Sequence, residues 1–403
     1  MPSFSPDSNP PLAGVRVLDA ARVLAGPFCG QLLADLGAEV IKIERPGQGD
    51  DTRGWGPPFL GNLSAYFLSC NRSKRSLTLD IAKPEGSELL HRLLAKSDVL
   101  IENFRSDSAA KLGLTPEKLL ARHPRLVVCS ISGFGRSGPM KDAPGYDFAI
   151  QAMSGLMSIT GPAEGPPSKV GVAVADVLTG LYASTAILAC LHARARSGHG
   201  YAIDLALLDC ALAAQVNVAQ AYLTSGEVAS RQGNAHLQIV PYQLFPTADG
   251  WLVLNVGNDS QWQAFCTAAE AKELGDNSRY RTNRQRVESR GDLVPQVETV
   301  MRSLTTAEWE KRLTEANVPH AVVWNYADLF AQRQVLDRGM KLTVRDPSGH
   351  PVDLLGNPIH LTGSMMPEAT MPPALGEQTD RVLSELLGLD ASAVASLRER
   401  GVV

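Results

Sequence analysis

Asp176 is the only charged residue between Lys169 and His192, within KVGVAVADVLTGLYAS. An apolar helical run, about Val177 to Ala195, begins directly beside it. Asp is a preferred N-cap residue, so the plain reading is a cap. The same geometry also carries chemistry. A helix N-terminus favours an anion, which would keep the carboxylate ionised in an apolar setting. An ionised, poorly hydrated carboxylate is a usable nucleophile.

A second set of residues could meet a phosphate. Arg22 follows the strand pattern VRVLD, and Arg45 follows EVIKIE in IKIERPG. Arg72, Lys74 and Arg75 crowd into CNRSKRS, and Lys111 follows the IENF loop. Ligands of doubly wound sheets bind beyond the carboxyl ends of the strands, where cations suit a phosphate-bearing ligand. A solvated, mixed-sign surface is the alternative for each of them. The first strand-to-helix turn, AGPFCG with Gly26 and Gly30, is not a G-x-G-x-x-G fingerprint. Glu44 could still mimic a ribose-binding acid. There is no phosphate-binding G-x-x-x-x-G-K-[ST] loop, no metal-ligand spacing and no G-x-S-x-G elbow. His236 and His360 are isolated.

The elements that must hold these residues follow from periodicity. Val15 to Asp19 reads as a strand, and Pro27 suits the first turn of a helix that stops at Gly37. Glu39 to Glu44 is the next strand, so this is a βαβ unit and the sheet is parallel. Pro84 and Pro116 open further helices, each followed by a strand, Asp98 to Glu102 and Leu126 to Ser130. This predicts an α/β doubly wound large domain over 12–205, with a linker over 206–234. Past Gly226, HLQIVPYQLFPTADGWLVLNVG alternates and turns at Asp249-Gly250, which predicts a hairpin in a smaller α+β domain over 235–325. Residues 326–403 read as a linker and a helical segment returning to the large domain.

The chain has 403 residues, too many for one ordinary core, and a net charge of -4. That balance gives no global field for nucleic acid or an anionic membrane. No uncharged apolar stretch reads as long enough to span a bilayer. The six cysteines show no paired spacing and suggest reduced thiols in the cytoplasm. The start, MPSFSPDSNPP, reads as a loose tail and not a signal peptide.

From about Leu12 to its end the chain resembles the class III CoA-transferase family, which includes formyl-CoA and carnitine CoA-transferases. The resemblance is carried by PLAGVRVLD, AGPFCGQLLADLGAEVIKIERPGQGD, NRSKRSLTLD, IENFR, GYDFAIQAMSGLM, GVAVADVLTGLYA, GNAHLQIVPYQLF and LRERGVV, in that order. It implies a Rossmann-like large domain, a smaller domain and an interlocked homodimer. Asp176 matches the catalytic aspartate, which forms a covalent aspartyl intermediate. Arg22, Val23 and Ala25 match the loop that contacts CoA, and Arg45 a basic residue at its nucleotide end. Lys74 and Arg75 match the phosphate-side segment, Asn103 and Phe104 the pantetheine loop. Tyr146 joins this CoA-binding set. Lys111 stands where a relative has Arg. No metal and no permanently bound cofactor is implied; acyl-CoA and a carboxylic acid are the substrates.

The family's glycine-rich loop is reduced here to Gly257 in VGNDSQW. Related α-methylacyl-CoA racemases carry a catalytic His before an Asp; here the string is Gly145-Tyr146-Asp147. A tyrosine with a pKa of ~10 cannot replace that imidazole near neutral pH, which favours transferase over racemase. A non-catalytic acyl-CoA-binding protein is the rival from another class. SITGPAEGPP, GNAHLQIVPYQLF and DNSRYRTN resemble the members that use dicarboxylates. A second, unreacting carboxylate needs a cation or N–H donors. The candidates are Arg231 and His236, then Arg279, Arg281 and Arg284; a structural hydrogen bond is the alternative for His236.

Overall fold

The computed structural model describes residues 9–362 and 365–403, so most of the expected tail lies outside the described residues. The chain divides into two compact units. The larger holds residues up to 156 together with 170–225 and 333–403; the smaller holds 157–169 and 226–332. Residues 206–225, expected as linker, form the helices Leu207–Ala213 and Val216–Ser225 of the larger unit. Residues 157–169, expected in the large domain, belong to the smaller unit.

The larger unit runs β1 (Arg16–Asp19), α1 (Ala25–Asp35), β2 (Glu39–Glu44), a short hairpin of β3 (Phe59–Leu60) and β4 (Leu63–Ser64), α2 (Ala65–Cys70), β5 (Lys74–Thr78), α3 (Pro84–Leu94), β6 (Val99–Glu102), α4 (Ser106–Lys111), α5 (Pro116–Arg122), β7 (Val127–Ser132) and α6 (Asp147–Met153), then, after α7 (Leu156–Ile159), which falls in the smaller unit but for its first residue, α8 (Val174–Ser197) and β8 (Tyr201–Ala206). Six strands form one parallel sheet in the order β5-β2-β1-β6-β7-β8, so strand order reverses beside β1. Leu18 pairs with Ile41 on one side and Leu100 on the other. Alternate residues then serve opposite faces. Leu18, Ile41 and Leu100 pack with Leu90, Leu119, Val382 and Leu397, while Val17, Val40 and Val99 pack with Leu33, Ala183 and Ile187. Covering on both faces explains why these strands read as unbroken apolar runs.

The α8 helix begins at Val174, three residues before the expected start, because its cap comes from outside the helix. It is long and apolar enough, by length and composition, to cross a membrane, which corrects the reading that no stretch is. Ala175, Thr179, Ala183 and Ile187 bury one stripe at helical spacing. Beyond β7, Gly133 and Gly145 cross at their backbones: a Cβ on Gly133 would lie 2.5 Å from the Gly145 Cα. Only glycine fits on both sides of this crossing, and it sets the entry to α6.

In the smaller unit β9 (Tyr242–Pro246) and β10 (Trp251–Asn255) form the hairpin read from the sequence, and β11 (His320–Val322) joins β10. Trp262, Phe265 and Trp309 fill the core. The buried Arg286 donates to Val240 O at 2.7 Å, Tyr280 O at 3.0 Å and Asp259 Oδ1 at 2.9 Å. Strands β12 (Lys341–Arg345) and β13 (Pro351–Leu355) make a hairpin in the final segment of the larger unit.

Candidate active site

Asp176 lies in the first turn of α8 and is not its N-cap; Ala173 is, and it offers no side-chain bond. The capping carboxylate is Asp147, from the first turn of α6. Its Oδ1 accepts from the backbone N–H of Ala175 at 2.8 Å and of Asp176 at 3.4 Å. Gln151, fully buried, holds the other oxygen at 2.6 Å and accepts from Val170 N–H at 2.9 Å. Val174 and Val177 N–H bond to Val172 O and Ala173 O. The donors at the start of α8 are therefore all engaged.

The electrostatics also differ from expectation. Burial, then the Asp147 charge, pushes the Asp176 carboxyl up to about 7, and the Ala25 N–H bonded to it opposes the rise. Desolvation outweighs the helix terminus here. Tyr66 on α2 is pushed up to about 12, by burial first and then by Asp176. Helix α1 comes close enough to deliver the Ala25 amide because Gly180, one turn along α8, has no side chain; a Cβ there would lie 2.8 Å from Ala25 O.

The loop that ends in Ala25 starts at β1. Val23 has φ 73, a costly region for a β-branched residue. Asp50 holds it there, accepting from Val23 N–H at 3.3 Å. Asp50 in turn pairs with the buried Lys42 at 2.9 Å, and Lys42 donates to Ala21 O at 3.0 Å. Across the reversal of strand order, Arg22 N–H donates to Asn103 Oδ1 at 3.0 Å, and Asn103 Nδ2 donates back to Arg22 O at 2.8 Å. A cleft of about 600 Å³ opens there, lined by Arg22, Arg45, Asp80, Phe104, Ser108 and Lys111 among others. Its position beyond the strand ends matches where doubly wound sheets take ligands.

Three expected cations are elsewhere. Lys74 is wholly buried and donates to Asp19 Oδ2 at 2.8 Å, Pro27 O at 2.7 Å and Asn71 Oδ1 at 2.8 Å. With three acceptors it has no N–H left for a phosphate. Arg75, near the start of β5, pairs with Glu39 at 2.6 Å and Glu385 at 2.7 Å. The Arg72 side chain is buried against Asp35. Glu44 is no ribose acid either. Burial opposes its ionisation, but Arg53 at 2.7 and 2.8 Å and Ser76 at 2.6 Å hold its carboxyl below the usual range. Tyr146 is exposed at the N-cap of α6.

In the smaller unit, Arg231 donates to Pro162 O at 3.2 Å and Gly165 O at 2.7 Å. His236 Nδ1 accepts from Gln238 N–H at 3.0 Å, and its ring meets Tyr242 edge-on. Arg279 and Arg284 form surface pairs with Asp292 and Glu288, and Arg281 is exposed. Gly257 N–H donates to Gln261 Oε1 at 2.8 Å. Asp147, Gln151 and Tyr66 are the site residues that sequence reasoning missed; Asp147 was weighed only as the neighbour of Tyr146.

The cleft at the switch point of the parallel sheet and the partly buried Asp176 carboxylate at the start of α8 belong to the same unit. Residues 12–379 match CoA-transferase family III, and the chain belongs to that family. It is 45% identical to a succinate–glutarate CoA-transferase of Agrobacterium fabrum, covering 96% of this chain and 98% of the relative. It is 42% identical to a succinyl-CoA:glutarate CoA-transferase of Homo sapiens, over 98% of this chain and 90% of the relative. A CAIB/BAIF family protein from Brucella suis of known structure matches with a TM-score of 0.83 and 43% identity, covering 94% of this chain and 100% of that one.

Proposed function

We propose that this transferase moves CoA from succinyl-CoA, or a similar acyl-CoA, to a dicarboxylic acid such as glutarate, through a covalent intermediate on Asp176. The names of its relatives support the substrates. The observation that carries the mechanism is the partly buried Asp176 carboxylate, bonded by Ala25 three residues along the chain from Arg22 at the cleft. An Asp176 oxygen attacks the thioester carbonyl. The C–S bond breaks, giving a mixed anhydride and CoA thiolate. The thiolate attacks the aspartyl carbonyl, the anhydride C–O bond breaks, and the donor acid leaves with its electron pair. The acceptor carboxylate then attacks the aspartyl thioester, and the same two steps regenerate Asp176. The partial burial of Asp176 limits the access of water to these hydrolysable intermediates.

Arg22, Arg45 and Lys111 are the cations suited to the CoA phosphates, and Asn103 and Phe104 to its pantetheine arm. We read the large unit as Rossmann-like and the protein as a homodimer. Exposed Leu212, Val216, Tyr222 and Leu223 on consecutive helices support an apolar face covered by a second copy. Six unpaired cysteines support a reducing, cytoplasmic setting.

The test is incubation with succinyl-CoA and no acceptor, followed by peptide mass spectrometry. A CoA adduct on the peptide holding Asp176 is expected, absent in Asp176→Ala. No adduct, or one on another residue, would remove the mechanism.

A further inference from the structure

We propose that Asp147 is a positioning residue for the transfer: it fixes the turn of backbone that carries Asp176, and its charge raises the reactivity of that carboxylate. The inference rests on Asp176 being the nucleophile.

The geometry is specific. One Asp147 oxygen takes the two amides at residues 175 and 176. The other is tied to Gln151, whose own amide oxygen is tied to Val170. Asp147 therefore sits in the first turn of one helix and caps the start of another. An Asn would offer α8 an acceptor oxygen at the same reach without the charge. What a carboxylate adds is charge, and the group that feels it is Asp176, the second cause, after burial, of its raised proton affinity. The titratable groups acting at this point are Asp147 on α6 and Tyr66 on α2, while α1 presents the Ala25 amide.

The charge has a consequence along the reaction. Free Asp176 is an anion held close to another anion in a poorly hydrated place. Once it is an anhydride or a thioester it is neutral. Repulsion and desolvation then disappear, so both bear on the free enzyme and not on the covalent state. That difference favours attack, because only interactions that change along the reaction alter its rate. A carboxylate that holds its proton more tightly is also the better nucleophile, as thiol nucleophilicity falls with falling pKa.

The experiment is the pH profile of kcat/KM for succinyl-CoA, which reports the free enzyme, with glutarate as acceptor, in the wild type and in Asp147→Asn, Asp147→Ser and Asp147→Glu. The acid limb of the wild type is expected near 7. It should move down by about one pH unit in the Asn variant, which keeps an oxygen for the cap but loses the charge, and in the Ser variant, which also loses the charge. The Glu variant should keep the limb near that of the wild type even where its turnover falls. A merely structural role would lower turnover in all three and leave the limb in place, which would overturn the inference. Should Asp147→Asn fold poorly, Asp147→Ser answers the same question. The CoA adduct on wild-type Asp176 separates the two failures. An adduct with an unmoved limb sinks only the role of Asp147; no adduct sinks the reading on which it rests.

Discussion

Lys74 Nζ lies 2.8 Å from Asp19 Oδ2, and neither side chain reaches water. Burial pulls the Lys74 ammonium below its ordinary proton affinity, and the Asp19 charge opposes that. Removing one member of such a pair leaves an uncompensated buried charge and costs about 3–5 kcal/mol. Lys74→Ala should therefore lower the midpoint of urea unfolding strongly. A folded variant of normal stability that had lost CoA binding would return Lys74 to the cleft.

The raised Asp176 proton affinity makes stability depend on pH. The folded state binds this proton up to about 7, whereas an unfolded aspartate releases it near 3.8. Stability from this group is thus full below the unfolded value and lost as pH rises through the folded one. Asp176→Asn should abolish transfer and gain on the wild type in thermal midpoint by more at pH 8 than at pH 5. The size is a few kcal/mol at about 1.4 per unit. An equal difference at both pH values would contradict it.

For CoA affinity, Arg45→Ala and Lys111→Ala should each weaken CoA by about 1–2 kcal/mol, roughly 5–30-fold, with little change in turnover. Arg75→Ala is the contrast, since its guanidinium is held by Glu39 and Glu385. Titration calorimetry with CoA that ranked Arg75→Ala beside the other two would overturn the assignment of the cleft.

Gly180→Ala tests the approach of α8 to α1. Its new methyl would meet Ala25 O at 2.8 Å and Phe28 Cδ1 at 2.9 Å. Overpacking of this kind costs about 1–3 kcal/mol. Residue 25 must also move, and its amide supports Asp176. Turnover should fall further than the thermal midpoint suggests. Full activity in the variant would show that the Ala25 contact is dispensable.

Asp176 and the parallel strands were legible because their signals are local: one charge in an apolar run, and short apolar runs after helices. Asp147 was not, because its bonds reach 28 and 29 residues along the chain. Nothing in GYDFAIQ says which amides its carboxylate will meet. CNRSKRS misled for a related reason. Crowded cations look solvated until the fold puts Asp19, Asp35 and Glu39 beside them. Arg22, Arg45 and Lys111 line the cleft beyond the strand ends, a position set by topology and not by partners.

The glycine crossing at Gly133 and Gly145 makes a neck. The chain from Phe134 to Pro144 leaves through it and returns at the same point, one residue before Tyr146. Asp147 is thus located by the neck, whatever length of chain hangs beyond. Loop closure grows dearer only slowly with length, by about 0.6 kcal/mol per doubling. The exposed stretch around Met140 and Lys141 is accordingly a place where a label or short peptide can be grafted while the register of Asp147 and the start of α8 is preserved.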